Sequence, residues 1–353
     1  MMNLPDYNFL SAPLWLVTLL HWITLTLHFV AMNFVLGGGL VLLFGKLDDK
    51  WNHPIIRRFI KLFPTLMAAT ITLGVAPLLF LQLTFHRQAY SAAIVSAWPW
   101  LFVLVAVMIA YYLLYGASFA KNAKHSTLLA LALICMAYVA FVYSATFALV
   151  ERPAAIAQHY ADNQSGLFIN PDIGAYGLRW LHMILGALTV GGFFVGLLGR
   201  SDDKVYALGK KFFLYGMVAA MIIGLAYLFT LGVDLQPFMR GYGIWSLTVG
   251  IILSLAALHF FFKKSFFAAG AMTLVSMLAM VITRHALRLV RLDGIWEPAT
   301  IPIRPQWSVL AMFLICFVLA LGLVWYMLRS YFGSIPATAK KGKARARNKK
   351  SDS

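Results

Sequence analysis

The chain has 353 residues, 61% of them hydrophobic and only 12% charged, with a formal net charge of +17. Soluble domains average roughly 25% charged residues, so this balance excludes an ordinary soluble enzyme and predicts an all-α, polytopic membrane bundle. Seven of the basic residues fall in the tail Lys340 to Lys350 and most others in short loops. That is topogenic charge rather than a nucleic-acid surface. The two cysteines, Cys135 and Cys316, lie in apolar runs without disulfide or zinc spacing and read as packing residues.

Runs of about 20 apolar residues cross a bilayer as helices, because each backbone polar group must pair within its own segment. The first run, at 13–45, has no small-residue cleavage site and reads as a span. Further spans are expected at 62–85, 99–120, 127–149, 176–198, 212–233, 242–262, 265–284 and 308–332. Lys46 to Arg58, Lys121/Lys124, Arg200 to Lys211, Lys263/Lys264 and the tail share one side. The positive-inside bias makes that side cytoplasmic and puts the N-terminus outside, an arrangement that nine crossings satisfy. The tail, 336–353, is low-complexity and reads as disordered.

A 24-residue segment beginning at Leu27-His28 and ending at Asp48-Asp49-Lys50 aligns without gaps on Leu181-His182 to Asp202-Asp203-Lys204, with ten identities at an offset of 154. Span 1 thus matches span 5, in the same direction. This predicts two parallel four-helix units, 1–150 and 151–285, related by an axis near the membrane normal, followed by an outer loop and ninth span over 286–335.

Ionisable side chains inside spans are costly and mark function. His21, His28, His86, His182 and His285 all fall toward the outer side, and His28 and His182 are repeat-related. His53, His125 and His259 fall on the cytoplasmic side, and His159 in an outer loop. An interhelical hydrogen bond is the ordinary use of one such histidine. Five on one side favour cofactor ligation, and isolated histidines on facing helices suit haem iron. No Cys-x-x-Cys-His occurs, so the haem would be b-type, two or three per chain. His21 either serves a neighbouring cofactor or faces a propionate or lipid headgroup. Gly37-Gly38-Gly39, Gly74, Gly191-Gly192 and Gly224 allow close approach of helices or of a porphyrin. Arg87, Arg284, Arg288, Arg291 and Arg304 sit at the outer boundary, as partners for propionates or a quinone headgroup or simply as solvated interfacial charge. All twelve acidic residues lie in loops or at helix ends.

These residues resemble the large haem-bearing subunit of the cytochrome bd quinol oxidases. The likeness rests on Leu27-His28-Phe29 before Leu36-Gly37, on Arg179-Trp180-Leu181-His182, and on Gly74-Val75-Ala76 followed by Gln82-Leu83-Thr84-Phe85-His86. It implies nine spans in a bacterial inner membrane, a periplasmic N-terminus, b haems and quinol. The departures change the expected chemistry. The family's span 3 carries glutamates, and Pro99 to Ala120 has none; Thr248 stands near the place of the axial methionine. His285, three residues before Arg288, replaces the family's glutamate ligand, and the quinol loop shrinks to Asp234–Gly241. Carboxylates lost and histidines gained imply electron transfer rather than oxygen reduction. The expected function is transfer between the quinone pool and an outer-face redox partner such as a c-type cytochrome. The iron ligands would be His28, His182, His285 and His86, with His21, Arg87, Arg284 and Arg288 lining the cofactors. The rival readings are an oxygen-reducing oxidase subunit, a transporter and a haem-free membrane anchor.

Overall fold

The computed structural model describes residues 9–120 and 124–333; the basic tail 336–353 lies outside the described residues. The helices run in chain order α1 (Leu14–Phe44), α2 (Pro54–Thr84), α3 (His86–Val95), α4 (Ala97–Phe119), α5 (Lys124–Val150), α6 (Pro153–Asp162), α7 (Ile173–Leu198), α8 (Asp203–Phe229), α9 (Leu235–Arg240), α10 (Tyr242–Phe262), α11 (Phe266–Leu292) and α12 (Trp307–Gly333). Among the described residues nine helices, all but α3, α6 and α9, are long and apolar enough to cross a membrane. The protein is therefore an all-α, multi-pass membrane protein.

Helix starts follow from local chemistry. Pro54 and Pro153 open α2 and α6 at a position whose backbone N–H would be unpaired anyway. Asp202 caps α8 by accepting from the Lys204 and Val205 amides, and the Val205 hydrogen bond leads in holding its carboxyl below the usual range. Three helices exceed their apolar runs, α8 among them, which starts at Asp203 where 212 was expected. α2 begins at Pro54, taking in Arg57, Arg58 and Lys61, and α11 continues to Leu292, past the expected boundary at 285. Charged residues at these ends dilute hydropathy without breaking the helix.

Four antiparallel pairs build the body of residues 14–301. α1 lies along α2 through His21–Pro77 and His28–Thr70, and α4 along α5 through Tyr138 to the Pro99 carbonyl. α7 lies along α8, and α10 along α11 through Ser246–Thr283 and Ser254–Ser276, at 2.9 and 2.7 Å. The pairing order is thus the same in both repeats. Lipid tails are as apolar as leucine, so close packing rather than the hydrophobic effect holds such helices together.

The two repeats meet where α1 crosses α7. A Cβ added to Gly37 would lie 1.7 Å from the Ala187 carbonyl oxygen, and one added to Gly191 would lie 2.0 Å from the Gly37 carbonyl carbon. Gly37 and Gly191 are repeat counterparts, so a position of one unit touches its own equivalent in the other. Such self-complementary contact is the signature of a two-fold axis. Phe34 of α1 fills the same region, 4.5 Å from the Phe59 ring of α2 and 4.8 Å from the Phe194 ring of α7.

Residues 9–13 and 302–333 form a separate compact unit. In it Leu10 and Ile303 make a parallel bridge, with Leu10 N–H to the Pro302 carbonyl at 2.8 Å and Arg304 N–H to the Leu10 carbonyl at 2.8 Å.

Candidate functional site

His28 on α1 donates through Nδ1 to the Thr70 carbonyl of α2 at 2.9 Å. His182 on α7 donates through Nδ1 to the Ala220 carbonyl of α8 at 2.8 Å. In a helix the residue four positions on packs over each carbonyl, and here that residue is Gly74 in one unit and Gly224 in the other. A Cβ at Gly74 would sit 2.9 Å from Cε1 of His28, and a Cβ at Gly224 would sit 2.9 Å from Cε1 of His182. The missing methyl exposes the carbonyl and admits the imidazole edge. A carbonyl can only accept, so Nδ1 must carry the proton, and Nε2 keeps the lone pair. This is the tautomer and the tethered ring orientation of a metal-ligating histidine. Both histidines stand nine residues before their crossing glycines, about 14 Å along the helix axis, and so at matching depth. His21 has the same tether, Nδ1 to the Pro77 carbonyl at 3.0 Å, two turns from His28 on one face of α1.

At the same end of the bundle four arginines gather on one carboxylate. Glu151, just past α5, is fully buried. It pairs with Arg284, with Arg291 at 2.8 Å, with Arg288 at 3.6 Å and with Arg179 of α7 at 3.9 Å. Asp234 adds a second carboxylate, 3.0 Å from Nε of Arg291. Burial alone would raise the Glu151 carboxyl, but Arg284, Arg179, Arg291 and Arg288 outweigh it and hold it at about 2. The cluster carries four guanidinium charges against two carboxylates. Nη1 of Arg284 is buried with no hydrogen-bond partner among the described residues, and Nη1 of Arg179 and Nε of Arg288, also buried, have only their long ion-pair contacts to Glu151. Spare buried donors of this kind suit an anionic group.

The site residues expected from the sequence are divided by the structure. Arg284 and Arg288 join the Glu151 cluster, whereas Arg87 on α3 lines a cavity of about 540 Å³ with Ile156 and Tyr160 of α6. Arg304 belongs to the separate unit, over the Phe9 ring. His86 opens α3 with its ring 5.5 Å from that of Trp296. His285 is buried but untethered: its Nδ1 has no partner among the described residues. Its ring is edge-on to Trp22 at 5.6 Å. At the opposite end His53 meets Asp202 at 3.2 Å and His125 donates to the Ala117 carbonyl, both structural contacts.

No known family and no curated protein matches the chain. Among the described residues no three His, Cys, Asp or Glu side chains gather as a metal cluster; a haem iron asks for only one or two axial side chains. Sequence reasoning passed over Glu151 as the centre of the arginines. Its one signal was the spacing of Arg284, Arg288 and Arg291 at i, i+4 and i+7, a single helix face that needs a partner.

Proposed function

We propose that the chain is a b-haem membrane subunit, cytochrome bd-like in plan, that moves electrons between the quinone pool and an outer-face redox partner such as a c-type cytochrome. The supporting observation is the pair His28 and His182, equivalent in the two repeats, each held through Nδ1 with Nε2 left as a ligand. The residues fit the group in a second respect. A b haem brings two propionate carboxylates, and the cluster around Glu151 has an excess of two positive charges with buried N–H groups to spare. Arg179 precedes His182 by three residues, about one turn, so donor and ligand share a face of α7.

In this reading a bound haem supplies one-electron chemistry at its iron. The chain would bind one haem at His28 and another at His182, and Arg179, Arg284 and Arg288 would be the residues to neutralise propionates. The outer placement of this end and of the N-terminus follows from the loop charges, and a bacterial inner membrane with a periplasmic N-terminus is what the cytochrome bd likeness implies. Protons from quinol oxidised there are released outside.

The test is a reduced-minus-oxidised visible spectrum of the purified protein with a pyridine haemochrome count. Two or more b haems per chain are expected, with one lost in His28→Ala and one in His182→Ala. A fully assembled preparation without haem overturns the reading. Gly74→Val and Gly224→Val are expected to act alike. Each added side chain expels the imidazole from its carbonyl, and the matching haem signal should shift or fall while the other persists.

A further inference from the structure

We infer that the cavity beneath the loop that follows α11 is a binding site for the ring of a neutral quinone or quinol, with His285 as its hydrogen-bonding floor. This deepens the proposed function by giving the quinone a place. The cavity measures about 270 Å³ and is lined by Thr18 of α1, Thr84 of α2, His285 of α11, and Asp293, Trp296 and Glu297 of the loop beyond. Ligand clefts run from roughly 300 Å³ upward, so this one takes a ring headgroup rather than a whole lipid.

Three features select the ligand. His285 lines the cavity and is more than nine-tenths buried, and its Nδ1 has no partner among the described residues; that nitrogen is closed off as the ring stands, and a turn of the untethered ring is what brings it to a ligand oxygen. The floor lies within electrostatic range of the Arg288 guanidinium, which repels a cation. The exposed Asp293 and Glu297 at the rim repel an anion. A neutral, flat molecule with a polar oxygen meets both conditions, and the Trp296 indole offers it a face or edge. The lining comes from the ends of α1, α2 and α11, at the level where the spans stop and a lipid-borne ring arrives with its tail still in the bilayer. His285 also differs from His28, His182 and His21 in lacking a backbone tether, so its ring is not fixed as theirs are.

The experiment uses the full-length protein purified in detergent and a short-chain azido-quinone. Illumination is expected to label the stretch 289–299, as mapped by peptide mass spectrometry. His285→Leu should weaken quinone binding about tenfold or more, and His285→Gln, which keeps a hydrogen-bonding group, should restore most of it. Labelling confined to other segments, or equal affinity in His285→Leu, overturns the site. Loss of one haem in His285→Leu also overturns it, because His285 is then an iron ligand, and the haem reading survives. Labelling at 289–299 in a protein devoid of haem does the reverse. Mapping on the unaltered protein decides the matter even if His285→Leu does not fold.

Discussion

Glu151→Gln is expected to be the most damaging single substitution on the polar side of this molecule. It leaves four guanidinium groups, those of Arg179, Arg288 and Arg291 buried, with Asp234 as the one remaining carboxylate of the cluster, and breaking a buried ion pair by removing one partner costs about 3–5 kcal/mol. The carboxyl lies at about 2 against an ordinary 4.5. A lowered folded-state value means the stabilisation is full above the unfolded value and disappears as pH falls through the folded one. Its size is on the order of 3 kcal/mol at neutral pH. Thermal unfolding in detergent should therefore be level above pH ~5 and decline between pH ~4.5 and ~2. Glu151→Gln should start from a lower melting temperature and lose this acid limb. An unchanged acid limb in the variant would show that the pH dependence arises elsewhere.

Gly37→Ala is expected to prevent assembly of the two repeats. The added methyl would fall 1.7 Å from a backbone oxygen of α7, and neither backbone can move without parting the helices. Overpacking a core usually costs about 1–3 kcal/mol, and more where no side chain can yield. Gly39→Ala is the matched control. Its methyl meets the Leu133 side-chain tip at 2.7 Å, which can rotate away. Size-exclusion profiles should show aggregate or no recoverable protein for Gly37→Ala and a single peak for Gly39→Ala. Equal behaviour of the two would mean that the α1–α7 crossing does not hold the repeats together.

The span count was legible in the sequence, as was the equivalence of His28 and His182 at the 154-residue offset, because hydropathy and internal identity are read directly from it. The ends of α2 and α11 were not. Arg57, Arg58 and Lys61 open one and Arg284, Arg288 and Arg291 close the other, so apolar content falls while helical geometry persists. Short α3 and α6 lie in segments read as loops, with only Pro153 to announce the second. Glu151 was hidden for a different reason. A glutamate followed by Arg152 and Pro153 looks like an interfacial turn, and its partners come 28 to 140 residues later. Nothing in a local window reveals that Arg284, Arg288 and Arg291 converge on it. The same limit applies to His285: its spacing from Arg288 was visible, but its lack of a tether and the cavity above it are properties of three helix ends together.

The self-complementary crossing at Gly37 and Gly191 is what a dimer of identical half-length chains would use, and here both halves lie on one chain. In such a dimer any change would appear twice, and the two histidine sites would stay identical. Joined in one polypeptide, they are free to diverge. At the repeat offset Arg179 corresponds to Leu25, and His21 has no histidine at its counterpart position. One site has a second imidazole two turns away and the other a buried guanidinium one turn away. Two cofactors held by such unlike neighbours would differ in electron affinity, and that difference would give charge a preferred direction across the pseudo-axis.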